Sequence, residues 1–518
     1  MFEGHPKGLW ALALANTGER FGYYTMLAVF LFFLQDNFGF SMGTSSSIQA
    51  AFLGIVYFVP LFGGMLADKF GFGKMVTSGI VIMFLGYLLL SLPLGAGAVA
   101  LGVMALALLF ICVGTGLFKG NLQVLVGNLY DDPKYSAKRD EGFSIFYMAI
   151  NLGSMFAAAV ALSIMAWAQD SLGISKGDSY HYAFAVACLS LILSIAIYYA
   201  FRKTFAHADR AKAVTGATEV VEEELTPAQT KERIICLCLV FAVVIFFWMA
   251  FHQNGITMNQ FAREYTATSE TGFMSLFLSK SLSFTEVRSF WNLLLCVITV
   301  YGVLNIFQSK TAKGKAVAAL IAVASVGVLV FKAMNVGSLA PVAVEAPIFQ
   351  QFNPCFVVAL TPIIGIIFGA LAKKGKEPSS PMKIGLGMLV AAMAFVVLLV
   401  ASWSLPAAEE QAAAVAAGTA TLVSPNWLIS TYFVLTIAEL LLSPIGISFV
   451  SKVAPPKYKG MMMGGWFVAT AIGNFLIMVP GLMWGMNLSI IWGVLIGICL
   501  LSAAFIFSIL KRLEAVAK

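Results

Sequence analysis

Long apolar stretches separated by short polar ones run through the whole chain. Fourteen of them are long enough for membrane-spanning helices, which need about 20 mostly apolar residues. These segments lie near residues 8–34, 46–67, 74–96, 98–126, 142–167, 180–201, 234–262, 287–307, 315–336, 350–372, 382–403, 427–450, 460–483 and 489–511. The pattern predicts an all-α integral membrane protein with about 14 transmembrane spans.

A polar stretch at 202–233 divides the segments into six before it and eight after it. It contains the acidic run Val220–Leu225. We therefore predict an N-terminal six-helix bundle at 1–201, a cytoplasmic linker at 202–233 and a C-terminal bundle at 234–518. The second half has two extra spans, near 287–336, for which we expect a peripheral role.

The composition supports a membrane protein and excludes other classes. The chain is 60% hydrophobic and 11% charged, with a net charge of +7, whereas soluble proteins carry about 25% charged residues. This excludes a disordered chain, a disulfide-stapled secreted protein and a nucleic-acid binder. The seven cysteines lie in apolar runs, and only Cys236 and Cys238 are close together. We therefore expect no metal and no cofactor.

Lysine and arginine predict the orientation. They gather in alternate connections, for example at Lys69, Lys310 and Lys373, whereas the intervening Asp36–Ser47 and Leu405–Pro425 carry almost none. Basic loops stay in the cytoplasm. We thus expect a multi-pass protein of the cell membrane, in bacteria the inner membrane, with both termini cytoplasmic.

Two helical halves joined by a polar linker are typical of the major facilitator superfamily. One local motif agrees with this architecture. Gly64–Gly71 reads Gly-Met-Leu-Ala-Asp-Lys-Phe-Gly, and the chain here resembles the superfamily's Gly-x-Leu-Ala-Asp-Arg-x-Gly after the second helix. Its Asp68 can cap the next helix or pair with a cation.

Five ionisable residues inside apolar segments are candidates for function: Glu19, Arg20, Lys119, His252 and Glu439. Each costs about 2.5–3.5 kcal/mol on insertion scales. Adjacent helical residues do not face each other, so we expect Glu19 and Arg20 to find partners elsewhere. Repeat symmetry places Lys119 and Glu439 on opposite walls of one cavity. A zwitterion fits between them, which favours an amino-acid-like or peptide-like substrate over a sugar or lipid.

Motifs from residue 16 to residue 474 resemble those of the proton-dependent oligopeptide transporters, the peptide branch of this superfamily. The matching stretches are Asn16–Tyr24, Gly116–Asn121, Phe146–Ser154, Phe352–Pro354, Glu439–Gly446 and Met463–Trp466, with Gly473 and Asn474 behind the last. The resemblance implies a fold of two six-helix bundles plus two extra helices. It also implies transport of small peptides with protons across a lipid bilayer, which we expect of a monomer.

The resemblance also implies roles for individual residues. Arg20 and Lys119 would receive the peptide carboxylate, and Glu439 would receive the amino terminus. Hydrogen bonds to the peptide backbone would come from Asn151 and Asn353. Aromatic side chains would line the pocket and accept many peptide side chains: Tyr23, Tyr24, Tyr57, Trp248 and Trp466.

Three positions depart from the family pattern, and two of them concern proton coupling. Asn16 stands where the family has the first glutamate of helix one, His252 replaces the usual acid of helix seven, and Gly120 replaces a proline. Asn16 cannot titrate, so Glu19 is our first candidate for the coupling proton. His252 is the second, because histidine titrates near pH 6.5.

We conclude that the chain is a secondary active importer of di- and tripeptides that works by alternating access, with proton coupling. The alternatives are a same-fold carrier of another zwitterionic or anionic solute, and a proton-independent peptide facilitator. An intramembrane enzyme is disfavoured, because no His-Glu-x-x-His motif occurs and no pair of aspartates stands out. The polar residues of the cavity argue against a non-transporting receptor.

Overall fold

The fold is built from fourteen long helices in the predicted order. The computed structural model describes residues 4–209 and 225–517. Thirteen helices in these two ranges are long and apolar enough to cross a membrane, and one more precedes them. They are α1 Lys7–Phe38, α2 Met42–Ala67, α3 Phe72–Leu90, α4 Ala98–Asn128, α5 Glu141–Leu172, α6 Lys176–Ala200, α7 Pro227–Glu264, α8 Trp291–Gln308, α9 Ala312–Val336, α10 Ala346–Lys373, α11 Ser380–Ala401, α12 Pro425–Val453, α13 Met461–Leu482 and α14 Leu488–Ser508. Each predicted segment coincides with one of these helices.

Helix α1 is 32 residues long but less apolar than the others. Its polar motif explains this, since Asn16, Glu19 and Arg20 lie near its middle and are all buried. Polar side chains within a membrane face the interior of a bundle, where they find partners. The structure therefore keeps the most polar part of α1 away from lipid.

Two six-helix bundles face each other, as predicted. In the first, α1 packs on α5 and α6, and α3 packs on α4; in the second, α11 packs on α12 and α14. Contacts between the bundles run along two seams, one formed by α2 and α13 and the other by α5 and α10. The additional pair α8 and α9 packs together beside the second seam.

Helix α7 begins earlier than the predicted boundary at 234. Thr226 and Gln229 form a capping box, in which the Thr226 Oγ1 accepts the Gln229 N–H at 3.2 Å and the Gln229 Oε1 accepts the Thr226 N–H at 2.9 Å. The charged first turns of α7 are helical, although hydropathy does not detect them. Two predicted features lie outside the described residues: the acidic run Glu222–Glu224 and the side chain of Asp68.

Several spans contain a break in the helix. Helix α7 is broken by a 3₁₀ turn at His252–Gly255, and α13 is broken at Ile477. The two breaks are joined, because the Gln253 Nε2 donates to the Ile477 carbonyl at 3.1 Å. Helix α4 runs unbroken through Gly120, so glycine at this position does not interrupt the helix.

The two ends of the bundle differ in charge and structure. The end with Lys69, Lys310 and Lys373 is called the basic end below, and the opposite one the far end. At the far end the segments on either side of α8 and α9 pair as two short antiparallel strands, β1 Ser269–Glu270 and β2 Val342–Ala343. Short helices lie at Ala408–Ala416, between α11 and α12, and at Leu510–Ala517, after α14.

Candidate functional site

The first wall of the candidate site is a buried ion pair on α1. Arg20 donates to Glu19 through its Nε and through its Nη2, the latter at 2.6 Å from the Glu19 Oε1. The Arg20 guanidinium also lies 4.8 Å from the centre of the Tyr23 ring. Our prediction that the adjacent charges find separate partners is wrong. An arginine side chain is long enough to reach round the helix, and the pairing leaves neither buried charge uncompensated.

Lys119 on α4 extends the same wall. Its Nζ lies 4.0 Å from the centre of the Tyr57 ring on α2, a cation–π distance. It is close enough to interact electrostatically with Glu19 and Arg20. Both side chains of the Lys119–Tyr57 pair are half-buried. Among the described residues, Arg20 of these two cations has a carboxylate bound to it and Lys119 has none.

The second wall is a buried carboxylate on α12. The Glu439 Oε2 accepts a hydrogen bond from the Asn353 Nδ2 at 2.9 Å, and the same Nδ2 lies 3.0 Å from the Thr436 Oγ1. Glu439 is 8% exposed. Within residues 4–209 and 225–517 it makes no ion pair. An anion in this environment has one amide donor, and its charge is uncompensated.

Two tyrosines connect the walls. Tyr24 on α1 lies near Arg20, Glu19 and Glu439. Tyr147 on α5 lies near Tyr24 and near Glu439 of the second bundle. Its side chain is 44% exposed, and its nearness to Glu439 places it where the two bundles meet. The sequence contains Tyr147 in a recognised motif, yet our predicted site omitted it.

The other predicted site residues are more enclosed. Asn151 is buried, and its Nδ2 donates to the Tyr147 carbonyl one turn earlier at 3.1 Å. Trp466 is 3% exposed and covers Gly446 so closely that a Cβ there would lie 2.2 Å from the ring. Tyr23 is equally buried and stacks on Phe52, with ring centres 6.3 Å apart.

His252 lies at the break in α7 and stacks on Trp248, with ring centres 5.2 Å apart. The His252 Nε2 and the Trp248 Nε1 are both buried without a hydrogen-bond partner. His252 also interacts electrostatically with Lys119. No group of three or more metal-ligating side chains occurs in the described part of the chain. The structure thus places His252 toward the cation side of the site.

The far end contains a cluster of polar contacts that sequence reasoning missed. Asp36 at the end of α1 accepts hydrogen bonds from Arg263 of α7, from Lys176 at 2.9 Å and from the Tyr180 hydroxyl at 2.6 Å. Gln35 donates to the Gln260 Oε1 at 3.0 Å. The contacts of Arg263 and Gln260 join the two bundles over more than 200 positions of sequence. No local sequence pattern predicts these contacts, so the sequence analysis did not identify them.

Comparisons with known proteins agree with this architecture. The peptide transporter YePEPT of Yersinia enterocolitica subsp. palearctica serotype O:3 (strain YE-P4) is 29% identical over 492 residues, which cover 91% of this chain and 87% of that protein. The di-/tripeptide transporter of Lactococcus lactis subsp. lactis (strain IL1403) is 26% identical over 494 residues, which cover 90% and 87%. A crystal structure of peptide transporter POT in complex with sulfate shares the fold, with a TM-score of 0.73 at 22% identity, over 100% of this chain and 96% of that one.

The family follows from the sequence match. The family model PTR2, described as the POT family, matches residues 73–222 and 322–483, more than half of the chain. The match covers helices of both bundles on either side of the linker. The chain therefore belongs to the POT family.

Proposed function

We propose that this protein imports di- and tripeptides by alternating access and couples their movement to protons. Family membership and the names of the two relatives, a peptide transporter and a di-/tripeptide transporter, support the substrate class. One observation carries the proposal: Tyr24 of the first bundle lies near both Arg20 and Glu439, and Glu439 makes no ion pair within the described residues.

The two charged termini of a short peptide can pair with these charged side chains. Its ammonium group compensates the charge of Glu439, and its carboxylate meets Lys119 and Arg20. Hydrogen bonds to ionised groups are about twice as strong as neutral ones. The Asn353 amide nitrogen is occupied by Glu439, so its Oδ1 serves as an acceptor for a peptide N–H. The half-buried rings of Tyr24 and Tyr57 contact the peptide side chains without selecting one.

Coupling follows from competition for Arg20. Arg20 is bound to Glu19, so the two buried charges compensate each other. A peptide carboxylate that draws Arg20 away leaves Glu19 buried without its cation, and protonation then becomes favourable. Peptide and proton therefore bind together. His252, close to Lys119, modulates the pH range of this step.

We place the basic end in the cytoplasm and the far end outside the cell membrane, following the positive-inside rule. The Asp36–Arg263 cluster then joins α1 to α7 at the outer end of the protein. We propose 1–201 as the first bundle and place the start of the second at Pro227, where α7 begins, with the linker between them. One chain contains both walls, so we propose the monomer as the transporting unit.

Uptake of a labelled dipeptide into proteoliposomes tests the proposal. We expect accumulation above the external concentration when the lumen is alkaline, and only equilibration when no proton gradient is imposed. Equal uptake under both conditions would show a facilitator. No uptake of any di- or tripeptide, with folded protein in the membrane, would refute the substrate class.

A further inference from the structure

The inserted pair of helices α8 and α9 is not merely peripheral. Most of the large side chains of α9 do face outward; Val323 is 71% exposed and Phe331 is 66% exposed. Helix α8, however, lies beside the seam between α5 of the first bundle and α10 of the second. It touches both, so the insertion has a position from which it can affect their relative movement.

Two contacts attach the far end of the insertion to the first bundle. The Ser163 Oγ on α5 donates to the Lys280 carbonyl, in the segment that leads into α8, at 2.7 Å. About two turns earlier on α5, Phe156 packs against Phe290 and Trp291 at the start of α8. The ring centres are 4.4 Å and 5.6 Å apart. Both contacts join residues more than 100 positions apart.

Other contacts fix the same insertion to the second bundle. The Tyr301 hydroxyl in the middle of α8 donates to the Val358 carbonyl on α10 at 3.2 Å. At the far end, β1 and β2 pair the segments before α8 and after α9, and Lys280 forms an ion pair with Glu345. The insertion is thus part of the second bundle and reaches across to α5.

The segment before α8 is itself held firmly. The Asn292 Nδ2 donates to the carbonyls of Leu276 at 2.8 Å and Val287 at 2.9 Å. Lys332 of α9 donates to the Phe284 carbonyl at 2.9 Å. A segment fixed at these points cannot follow α5 when the bundles separate, so such a separation has to break the contacts of Ser163 and Phe156.

We propose that the α8–α9 insertion is a second outer latch, which holds α5 against the second bundle and stabilises the conformation closed at the far end. It acts on the α5–α10 seam, whereas the Asp36–Arg263 cluster joins α1 to α7. Opening to the outside requires release of both. Because the latch favours one of two conformations, weakening it shifts their populations.

Distances across the far end test this directly. Spin labels are placed at Ala96→Cys, in the exposed connection between α3 and α4, and at Ala416→Cys, between α11 and α12. The seven native cysteines are replaced, and the full chain is reconstituted in lipid without peptide. Pulsed electron spin resonance then measures the distribution of separations. The measurement needs no substrate, so its failure is distinct from failure of the proposed function.

Phe156→Ala and Ser163→Ala weaken the latch. We expect the ratio of the longer to the shorter separation to rise on the order of tenfold for Phe156→Ala and about threefold for Ser163→Ala. The matched controls are Phe331→Ala, which removes a ring from the outward face of α9, and Thr299→Ala, which removes a hydroxyl that contacts Ser325 within the insertion at 2.8 Å.

Unchanged distributions in both latch variants would overturn the proposal, because Ser163→Ala is too small a change to prevent folding. Equal shifts in the control variants would overturn it as well, since general loosening of the insertion would then explain the effect. A shift confined to the two latch variants would support it.

Discussion

The two walls of the candidate site carry opposite charges and satisfy them differently. On α1, Arg20 is bound to Glu19 and lies over an aromatic ring. On α12, Glu439 has only the Asn353 amide and no cation partner in the part of the chain that the structure describes. The charge of Arg20 is therefore compensated within the first bundle, whereas the charge of Glu439 is not compensated within the second.

This difference separates two tasks that a coupled carrier must perform. A ligand at the acid wall adds a missing partner, so its ammonium group gains binding free energy without breaking a contact. A ligand carboxylate that binds Arg20 must displace the carboxylate of Glu19. Glu19 is then buried without a cation, which favours its protonated form. Recognition thus rests mainly with Glu439, and coupling rests with Glu19.

Removal of the cations should have the largest effect. We expect Lys119→Ala and Arg20→Ala each to lower dipeptide uptake by about 100-fold or more, since a buried carboxylate without its cation costs about 3–5 kcal/mol. Uptake into proteoliposomes at equal protein content is the measurement. Lys134→Ala, at the basic end, is the matched control and should transport normally. Normal uptake by both cavity variants would remove the carboxylate clamp.

Neutralisation of Glu19 should abolish the coupling of peptide transport to protons. We expect Glu19→Gln to abolish peptide-dependent proton flux and the accumulation of peptide against its gradient. His252→Gln should shift only the pH range, because His252 lies beside Lys119 and Trp248 rather than in the Glu19–Arg20 pair. In the parent protein, raising the external pH lowers accumulation by removing the proton gradient.

Proton flux with both single variants and the double variant decides the ranking. If Glu19→Gln still concentrates peptide and His252→Gln does not, the histidine is the coupling site. If the unmodified protein moves no protons with peptide, coupling was lost together with the acids at positions 16 and 252.

Changes to the acid wall should have an intermediate effect. An unpaired buried group costs about 1–3 kcal/mol, so acetylation of the peptide amine should weaken competition for uptake by roughly 5- to 150-fold. In Glu439→Gln the free peptide should lose affinity, and the difference between free and acetylated peptides should shrink. Equal competition by the two peptides in the parent protein would show that Glu439 does not recognise the amino terminus.

The fold could be predicted from sequence because the bilayer fixes the length of each apolar segment. The same logic located Arg20, Lys119 and Glu439, since ionisable residues are conspicuous in apolar segments. It did not yield the pairing of Arg20 with Glu19, because helical spacing rules describe side-chain directions and neglect the reach of arginine.

Contacts between distant segments could not be predicted from the sequence either. Asp36 and Arg263 lie near helix ends, where charged residues are ordinary, and only the packing of α1 against α7 brings them together. The contact of Phe156 with Phe290 likewise joins two residues that read as apolar positions in separate spans. Seams between bundles depend on which faces meet, and hydropathy alone does not specify this.

The smallest expected effect concerns the ring beside Lys119. Tyr57→Phe keeps the aromatic face, which lies 4.0 Å from the Lys119 Nζ, and removes only the hydroxyl, so dipeptide KM should change less than about threefold. Tyr57→Leu removes the face. The cation then loses a contact of about 0.5–2 kcal/mol, and KM should rise by roughly 2- to 30-fold. A larger effect of Tyr57→Phe than of Tyr57→Leu would show that the hydroxyl holds Lys119 or the peptide, and the cation wall would then depend on a hydrogen bond instead of the ring.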